Sequence, residues 1–283
     1  MPHFAANLSM LFTELPFMDR FAAARDAGFD AVEYLFPYAY GKRELAAALR
    51  ANALKQVLHN LPAGHWEAGE RGIACHPDRV AEFRQGVARA IEFAQALQCP
   101  QVNCLAGKLP PGVAREHAHA AFVGNLSFAA AALKAAGIRL LIEPINSFDI
   151  PGFFLTRTDQ ALAIVEEVGS DNLFVQYDIY HAQRMEGELG ATLRNHLDRI
   201  GHIQLADNPG RNEPGTGEIN YAWLFRHIDA LGYRGSIGCE YQPRTTTTEG
   251  LGWIGALAPD RGHPGRDTVQ ARPARSPHTG AKQ

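Results

Sequence analysis

Short apolar runs and amphipathic stretches alternate from one end of the chain to the other. Eight runs read as strands: residues 4–8, 31–36, 56–60, 101–105, 139–143, 173–178, 202–205 and 236–240. Between them the apolar residues recur at helical spacing. The clearest stripe places Val80, Phe83, Val87, Ile91, Ala94 and Leu97 on one face. Another runs through Phe17, Phe21 and Ala24, and a third, after the start signal Thr158-Asp159, through Leu162, Val165 and Val168. Gly28, Gly137, Gly232 and Gly235 mark helix exits.

Strands that alternate with helices pair in parallel, and eight of them suffice to close a barrel. The rival is an open, doubly wound sheet, which normally announces a glycine-rich phosphate loop after its first strand. Here that loop reads Ser9-Met10-Leu11-Phe12-Thr13, without glycine. The expectation is therefore α/β, a single (β/α)8 TIM barrel over residues 1–258. Residues 259–283 differ in kind, with four prolines, three glycines, five basic residues and one valine as the only sizeable apolar side chain. Such a segment buries too little to offset its ordering entropy and is expected to be a disordered tail.

Composition narrows the field. The 283 residues suit one α/β barrel, and 46% hydrophobic with 20% charged residues describe a soluble globular protein. A formal charge of −3 gives no support to a nucleic-acid partner. No run reaches the roughly 18 apolar residues a membrane span needs, and the N-terminal stretch lacks a basic leader. Cys75, Cys99, Cys104 and Cys239 include no C-x-x-C pair and read as reduced thiols. A cytoplasmic location is expected.

Four polar residues sit at the ends of apolar runs in the second half: Glu143, Asp178, Gln204 and Glu240. The steps between them are 35, 26 and 36 residues, about one strand–helix repeat. In a closed parallel barrel such tips meet at one mouth. Three carboxylates and an amide match the oxygen ligands that Mg²⁺ or Mn²⁺ prefer. Any one of the four read alone would be a structural strand-end residue; together they favour a divalent metal site. Glu143 and Glu240, on the fifth and eighth runs, could approach a small substrate from two sides and suit proton transfer between its neighbouring carbons.

Further candidates surround these. His181, three positions after Asp178, is either a substrate hydrogen-bond donor or a turn histidine. Arg211 is the most attractive cation for a substrate carboxylate, because its fork matches two oxygens. Lys108 is second, and His59 and Asn60 are further mouth candidates. His202 shares a face with Gln204 and is a competing ligand or, better, a satisfied core histidine. Gly215-Thr216-Gly217 lacks the context of a nucleotide fingerprint, and His117 with His119, two apart on a helix, make a poor metal pair.

Several longer motifs resemble the hydroxypyruvate isomerase family of xylose-isomerase-like barrels. They include Asn7-Leu8-Ser9-Met10-Leu11-Phe12, Leu58-His59-Asn60-Leu61-Pro62-Ala63-Gly64 and Gly69-Glu70-Arg71-Gly72-Ile73-Ala74. Ile142-Glu143-Pro144-Ile145-Asn146, Tyr177-Asp178-Ile179-Tyr180-His181, Glu213-Pro214-Gly215-Thr216-Gly217-Glu218-Ile219-Asn220-Tyr221 and Gly238-Cys239-Glu240-Tyr241 add to them. The resemblance covers residues 1 to about 254. It implies interconversion of hydroxypyruvate and 2-hydroxy-3-oxopropanoate, with Glu143 and Glu240 as the proton donor–acceptor pair. It also implies a divalent ion among Glu143, Asp178, Gln204 and Glu240. The sister 2-oxo-tetronate isomerases share both glutamates, and residues 17–36 resemble them equally. Gln242 departs from the lysine expected after Glu240-Tyr241.

Two readings of other classes stand beside this one. A metal-dependent phosphodiester hydrolase on the same barrel calls for histidine-rich ligands and a basic face. A non-catalytic sugar-acid binding protein would carry paired glutamates without turnover. Exposed helix faces on such barrels often pair, which leaves a homo-oligomer open.

Overall fold

The computed structural model describes residues 2–258. Eight strands run β1 (His3–Asn7), β2 (Ala31–Glu33), β3 (Lys55–Asn60), β4 (Gln101–Cys104), β5 (Arg139–Ile142), β6 (Leu173–Asp178), β7 (Ile200–Leu205) and β8 (Ser236–Cys239). All pair in parallel and in sequence order, and β8 returns to β1 through pairs such as Ala5 with Gly238. The chain is a closed (β/α)8 barrel. The expected tail, residues 259–283, lies outside the described residues.

The helices are α1 (Arg20–Asp26), α2 (Lys42–Ala51), α3 (Val80–Leu97), α4 (Arg115–Ala135), α5 (Thr158–Val168), α6 (Ile179–Met185), α7 (Leu189–His196), α8 (Tyr221–Ala230), α9 (Thr247–Gly250) and α10 (Gly252–Leu257). The predicted stripe of α3 buries Phe83, Val87, Ala94 and Leu97, with Ala90 and Phe93 added and Ile91 left half-buried. In α5 the buried face is Ala161, Ile164 and Val165 rather than Leu162, Val165 and Val168. A strict three-residue spacing drifts around a helix of 3.6 residues per turn, so its ends rotate out of contact. Each fully buried Phe, Leu, Ile or Val contributes roughly 1.5–3 kcal/mol. Truncating Phe83 to alanine would therefore cost about 3–5 kcal/mol through the cavity it leaves.

The strand predictions hold within one or two residues at most ends, with one large exception. Only Ala31–Glu33 pair in the second strand, half the predicted run. A register shift lies beside it, where Val32 faces Gln56 but the next residue, Glu33, faces Leu58. The extra residue, Val57, puts the rest of β3 out of phase with simple alternation. Gly28, Gly137 and Gly232 take positive φ at helix exits as expected; Gly235 does not. Phe4 of β1 packs edge to face against both Phe225 and Trp253.

Candidate active site

The strand β6 ends on a carboxylate that also begins the next helix. Asp178 Oδ1 accepts the backbone N–H groups of Tyr180 at 2.7 Å and His181 at 3.2 Å, capping α6. An N-cap aspartate satisfies donors that the first helical turn leaves unpaired. Its second oxygen, Oδ2, is buried without a hydrogen-bond partner. The cap holds His181 on the same side, with Nε2 3.8 Å from Asp178 Oδ2 and 4.0 Å from Glu143 Oε1. Glu143 stands one residue beyond β5, its Oε2 accepting from Asn103 Nδ2 at 2.8 Å. Ligand atoms of Glu143, Asp178 and His181 all lie within 4.8 Å of one another, the compact group of candidate metal ligands among the described residues.

Glu240 forms the other wall. It follows β8 directly, and its Oε1 lies 3.6 Å from Arg211 Nη2. The same guanidinium reaches Asp149 Oδ2 at 3.8 Å and sits 5.3 Å from the Tyr180 ring centre. Arg211 belongs to the loop after β7, which is organised by the buried Asp207. That carboxylate accepts backbone N–H groups from Asn208, Gly215, Gly217 and Ile219. The Arg211 backbone is pinned as well, donating to the Asp207 carbonyl and accepting from Gln242 N–H. Gln242 thus brackets Arg211 through its main chain while its side chain is exposed.

A polar hub completes the floor. Gln204 pairs in register with Asp178 and Gly238. Its Nε2 donates to Glu33 Oε1 at 2.7 Å, and its Oε1 accepts from Gln176 Nε2 at 2.6 Å. Glu33 also accepts from His202 Nε2 at 2.7 Å and from Asn7 Nδ2 at 3.0 Å. The Glu33 carboxylate occupies the space a side chain at Gly238 would need, within 2.3–2.5 Å of any Cβ there. His202 is therefore the satisfied core histidine of the sequence reading.

Burial controls the electrostatics. It pushes Glu143 well above the usual carboxylate range, helped by the charges of Glu240 and Asp178 and opposed by Arg211. Asp178 is raised by burial too, against the pull of Arg211 and its two backbone donors. Glu240 is pushed up to about 8 by burial, with Arg211 opposing and Asp178 and Glu33 adding. His181 falls well below its ordinary value, first through burial and then through Arg211 and Arg184, and is neutral. Burial around one guanidinium thus raises the proton affinity of all three carboxylates above that of solvent-exposed ones.

The structure thus gathers Glu143, Asp178, His181, Arg211 and Glu240, with Gln204 beside them. It does not bring His59 to the mouth. His59 Nδ1 meets Gln56 Nε2 at 3.2 Å and its ring lies beside the Ala90 backbone of α3, in the helix layer. The register shift at Val57 is the reason, since it turns His59 outward. Lys108 sits on the loop after β4, bridged to Phe153, with its carbonyl taking the His76 ring; the ion pair with the carboxylates is made by Arg211 instead. Sequence reading passed over Asn103, Asn146, Asp149 and Glu33. Glu33 carries the same signal as the other tips, a polar residue ending an apolar run, but the predicted second strand ran past it.

The donor set fits a hard divalent cation. Asp178 Oδ2 is a buried carboxylate oxygen without a hydrogen-bond partner, and Glu143 stands beside it. The Gln204 carbonyl is oriented by its amide group's bond to Glu33 and has one lone pair beyond the Gln176 contact. Oxygen-rich sets of this kind suit Mg²⁺ or Mn²⁺. No helix among the described residues is long and apolar enough to cross a membrane.

Known proteins match this arrangement along nearly its whole length. A family model described as xylose isomerase-like TIM barrel matches residues 21–257. Hydroxypyruvate isomerase of Escherichia coli strain K12 is 57% identical over 254 residues, covering 90% of this chain and 98% of that protein. The 2-oxo-tetronate isomerase of Cupriavidus necator is 50% identical over the same shares of the two chains. A solved structure titled AP endonuclease, family 2, from Brucella melitensis superposes with a TM-score of 0.89 at 42% identity, covering 93% of this chain and all of that one.

Proposed function

The chain belongs to the xylose isomerase-like TIM-barrel family, and within it to the hydroxypyruvate isomerases, and from that premise we propose that it interconverts hydroxypyruvate and 2-hydroxy-3-oxopropanoate. It is an isomerase. The observation that carries the reading is a pair of buried glutamates, Glu143 beside Asp178 and His181 and Glu240 at 3.6 Å from Arg211, both under the charge of that one guanidinium. An isomerisation of this type moves one proton from carbon 3 to carbon 2 and one hydroxyl proton from the carbon-3 oxygen to the carbon-2 oxygen. Two carboxylates with raised and coupled proton affinity suit the carbon step: one ionised to remove the proton, the other protonated to return it. Which of Glu143 and Glu240 takes the first role depends on the direction of reaction.

Arg211 anchors the substrate carboxylate by charge-assisted hydrogen bonds, held in place by Asp149 and the Asp207 loop. His181 faces the reacting oxygens as a neutral hydrogen-bonding group. Glu143, Asp178, Gln204 and Glu240 would hold the divalent cation, which when bound would polarise the substrate carbonyl and favour the ionised form of whichever glutamate acts as the base. The carboxylate-rich donor set supports isomerisation over phosphodiester hydrolysis.

Incubation of the purified protein with hydroxypyruvate, followed by detection of the aldehyde product, tests the proposal; absence of that product in the presence of Mg²⁺ and Mn²⁺ defeats it. The 50% identity to a 2-oxo-tetronate isomerase favours one alternative substrate, a four-carbon acid handled in the same manner. Comparing kcat/KM for the two acids in one preparation separates them.

A further inference from the structure

The trio Glu143, Asp178 and His181 is close enough to hold an ion, yet a histidine ligates through a lone pair, and the tautomer decides whether Nε2 has one. The decision lies in Asn146, three residues beyond Glu143 and fully buried. Its Oδ1 accepts the backbone N–H groups of Phe148 at 3.1 Å and Asp149 at 2.8 Å. Backbone N–H groups only donate, so the atom that meets them must be the amide oxygen. The other end, Nδ2, is therefore fixed, and it lies 2.7 Å from His181 Nδ1. The Asn146 backbone N–H points to the same Nδ1 at 3.5 Å. Both neighbours of that ring nitrogen are donors, so Nδ1 must accept.

We propose that Asn146 is a positioning residue that locks His181 in the tautomer with its proton on Nε2, so that His181 delivers a hydrogen bond between Glu143 and Asp178 instead of a metal ligand. A neutral imidazole that accepts at one nitrogen carries its hydrogen on the other. Nε2's neighbours, Glu143 Oε1 at 4.0 Å and Asp178 Oδ2 at 3.8 Å, both lie beyond hydrogen-bond reach, which leaves that hydrogen for a substrate oxygen. A preorganised donor aimed at an oxygen gaining negative charge lowers the barrier. The imidazolium form is excluded while the Asn146 bond lasts, because it needs a proton on Nδ1. The cation is then left to the oxygen donors, in keeping with the hard ion they suit.

The catalytic consequence rests on the isomerase reading, but the tautomer does not, so the two fail separately. In the ¹⁵N-labelled full chain, His181 should show an unprotonated Nδ1, a protonated Nε2, and a ¹⁵N–¹⁵N coupling across the hydrogen bond from Asn146 Nδ2. A protonated Nδ1 in the wild type overturns the proposal. Asn146→Asp keeps an oxygen for the Phe148 and Asp149 N–H groups but turns an acceptor toward Nδ1, which should move the proton there. With hydroxypyruvate, its kcat should fall on the order of 100-fold, the scale of losing one preorganised donor, while KM stays near that of the parent. Loss of turnover with the tautomer unchanged would show a merely structural role and end the proposal. Should the aspartate variant not fold, the wild-type coupling decides: its presence supports the assignment and its absence overturns it.

Discussion

Glu33 and Gln204, 171 residues apart, meet at 2.7 Å, the carboxylate accepting the amide hydrogen of Gln204. A carboxylate cannot donate, so this contact determines which end of the Gln204 amide faces Glu33. The carbonyl is thereby turned toward Gln176 and β6, where Asp178 ends the strand. If Gln204 is a ligand as proposed, a partner that orients it in this way should carry about 10–100-fold of metal affinity. Glu33→Gln is of nearly equal size but can present either end to Gln204, so the orientation is no longer enforced. Mn²⁺ affinity, read by calorimetry on folded protein, should weaken by about 10–100-fold. An unchanged affinity would detach Gln204 from the cation.

On the proposed mechanism Glu143 and Glu240 each carry a proton step that no neighbour can take over. Asp178 Oδ1 is committed to capping α6, and Asp149 is held toward Arg211. Glu143→Gln and Glu240→Gln should each lower kcat by about 100- to 10,000-fold, the range for a lost general acid or base. The fold should persist, because an amide relieves the desolvation that burial imposes on either carboxylate. Turnover close to wild type in both purified variants, with native circular dichroism, would dispose of the two-glutamate mechanism.

How far the chain announces all this depends on the kind of relationship concerned. The barrel and its four strand-tip residues were legible because alternation and strand ends are one-dimensional patterns, and each tip follows its own apolar run. His181 was legible for a similar reason: it sits three residues past an N-cap aspartate. The hub was not, since Glu33, Gln176 and His202 meet only when β2, β6 and β7 close around one axis. His59 went astray on one inserted residue in β3, which no periodicity reveals. Asn146 had a visible position but an invisible role, because its task is set by the direction of two backbone N–H groups.

Arg211 is held from several sides without a bidentate partner, at 3.6 Å from Glu240 and 3.8 Å from Asp149. That leaves its fork free to take a substrate carboxylate. Arg211→Ala should raise KM by roughly 10- to 100-fold, the equivalent of a lost charged hydrogen bond, and lower kcat less. Arg211→Lys should recover only part, because a point charge cannot match two oxygens. Steady-state kinetics with hydroxypyruvate give the answer, and an unchanged KM in the alanine variant removes the anchor.

Proton uptake by the site should appear in the stability of the cation-free protein. Glu240 moves from an ordinary value of 4.5 to about 8 on folding, chiefly through burial. Between those values the folded chain therefore holds a proton that the unfolded chain has released. With more protons bound when folded, stability falls as pH rises. The contribution is complete below 4.5 and is lost by the time pH passes about 8. After treatment with chelator, Tm should decline across that window, and Glu240→Gln, which cannot ionise, should flatten the decline. Saturating Mn²⁺ should reverse it, because a cation favours the ionised carboxylates and binding to the folded state at about 100 times Kd adds roughly 2.7 kcal/mol. A chelated protein whose Tm climbs with pH through this range, with the glutamine variant climbing in parallel, would mean that folding does not raise the proton affinity of Glu240.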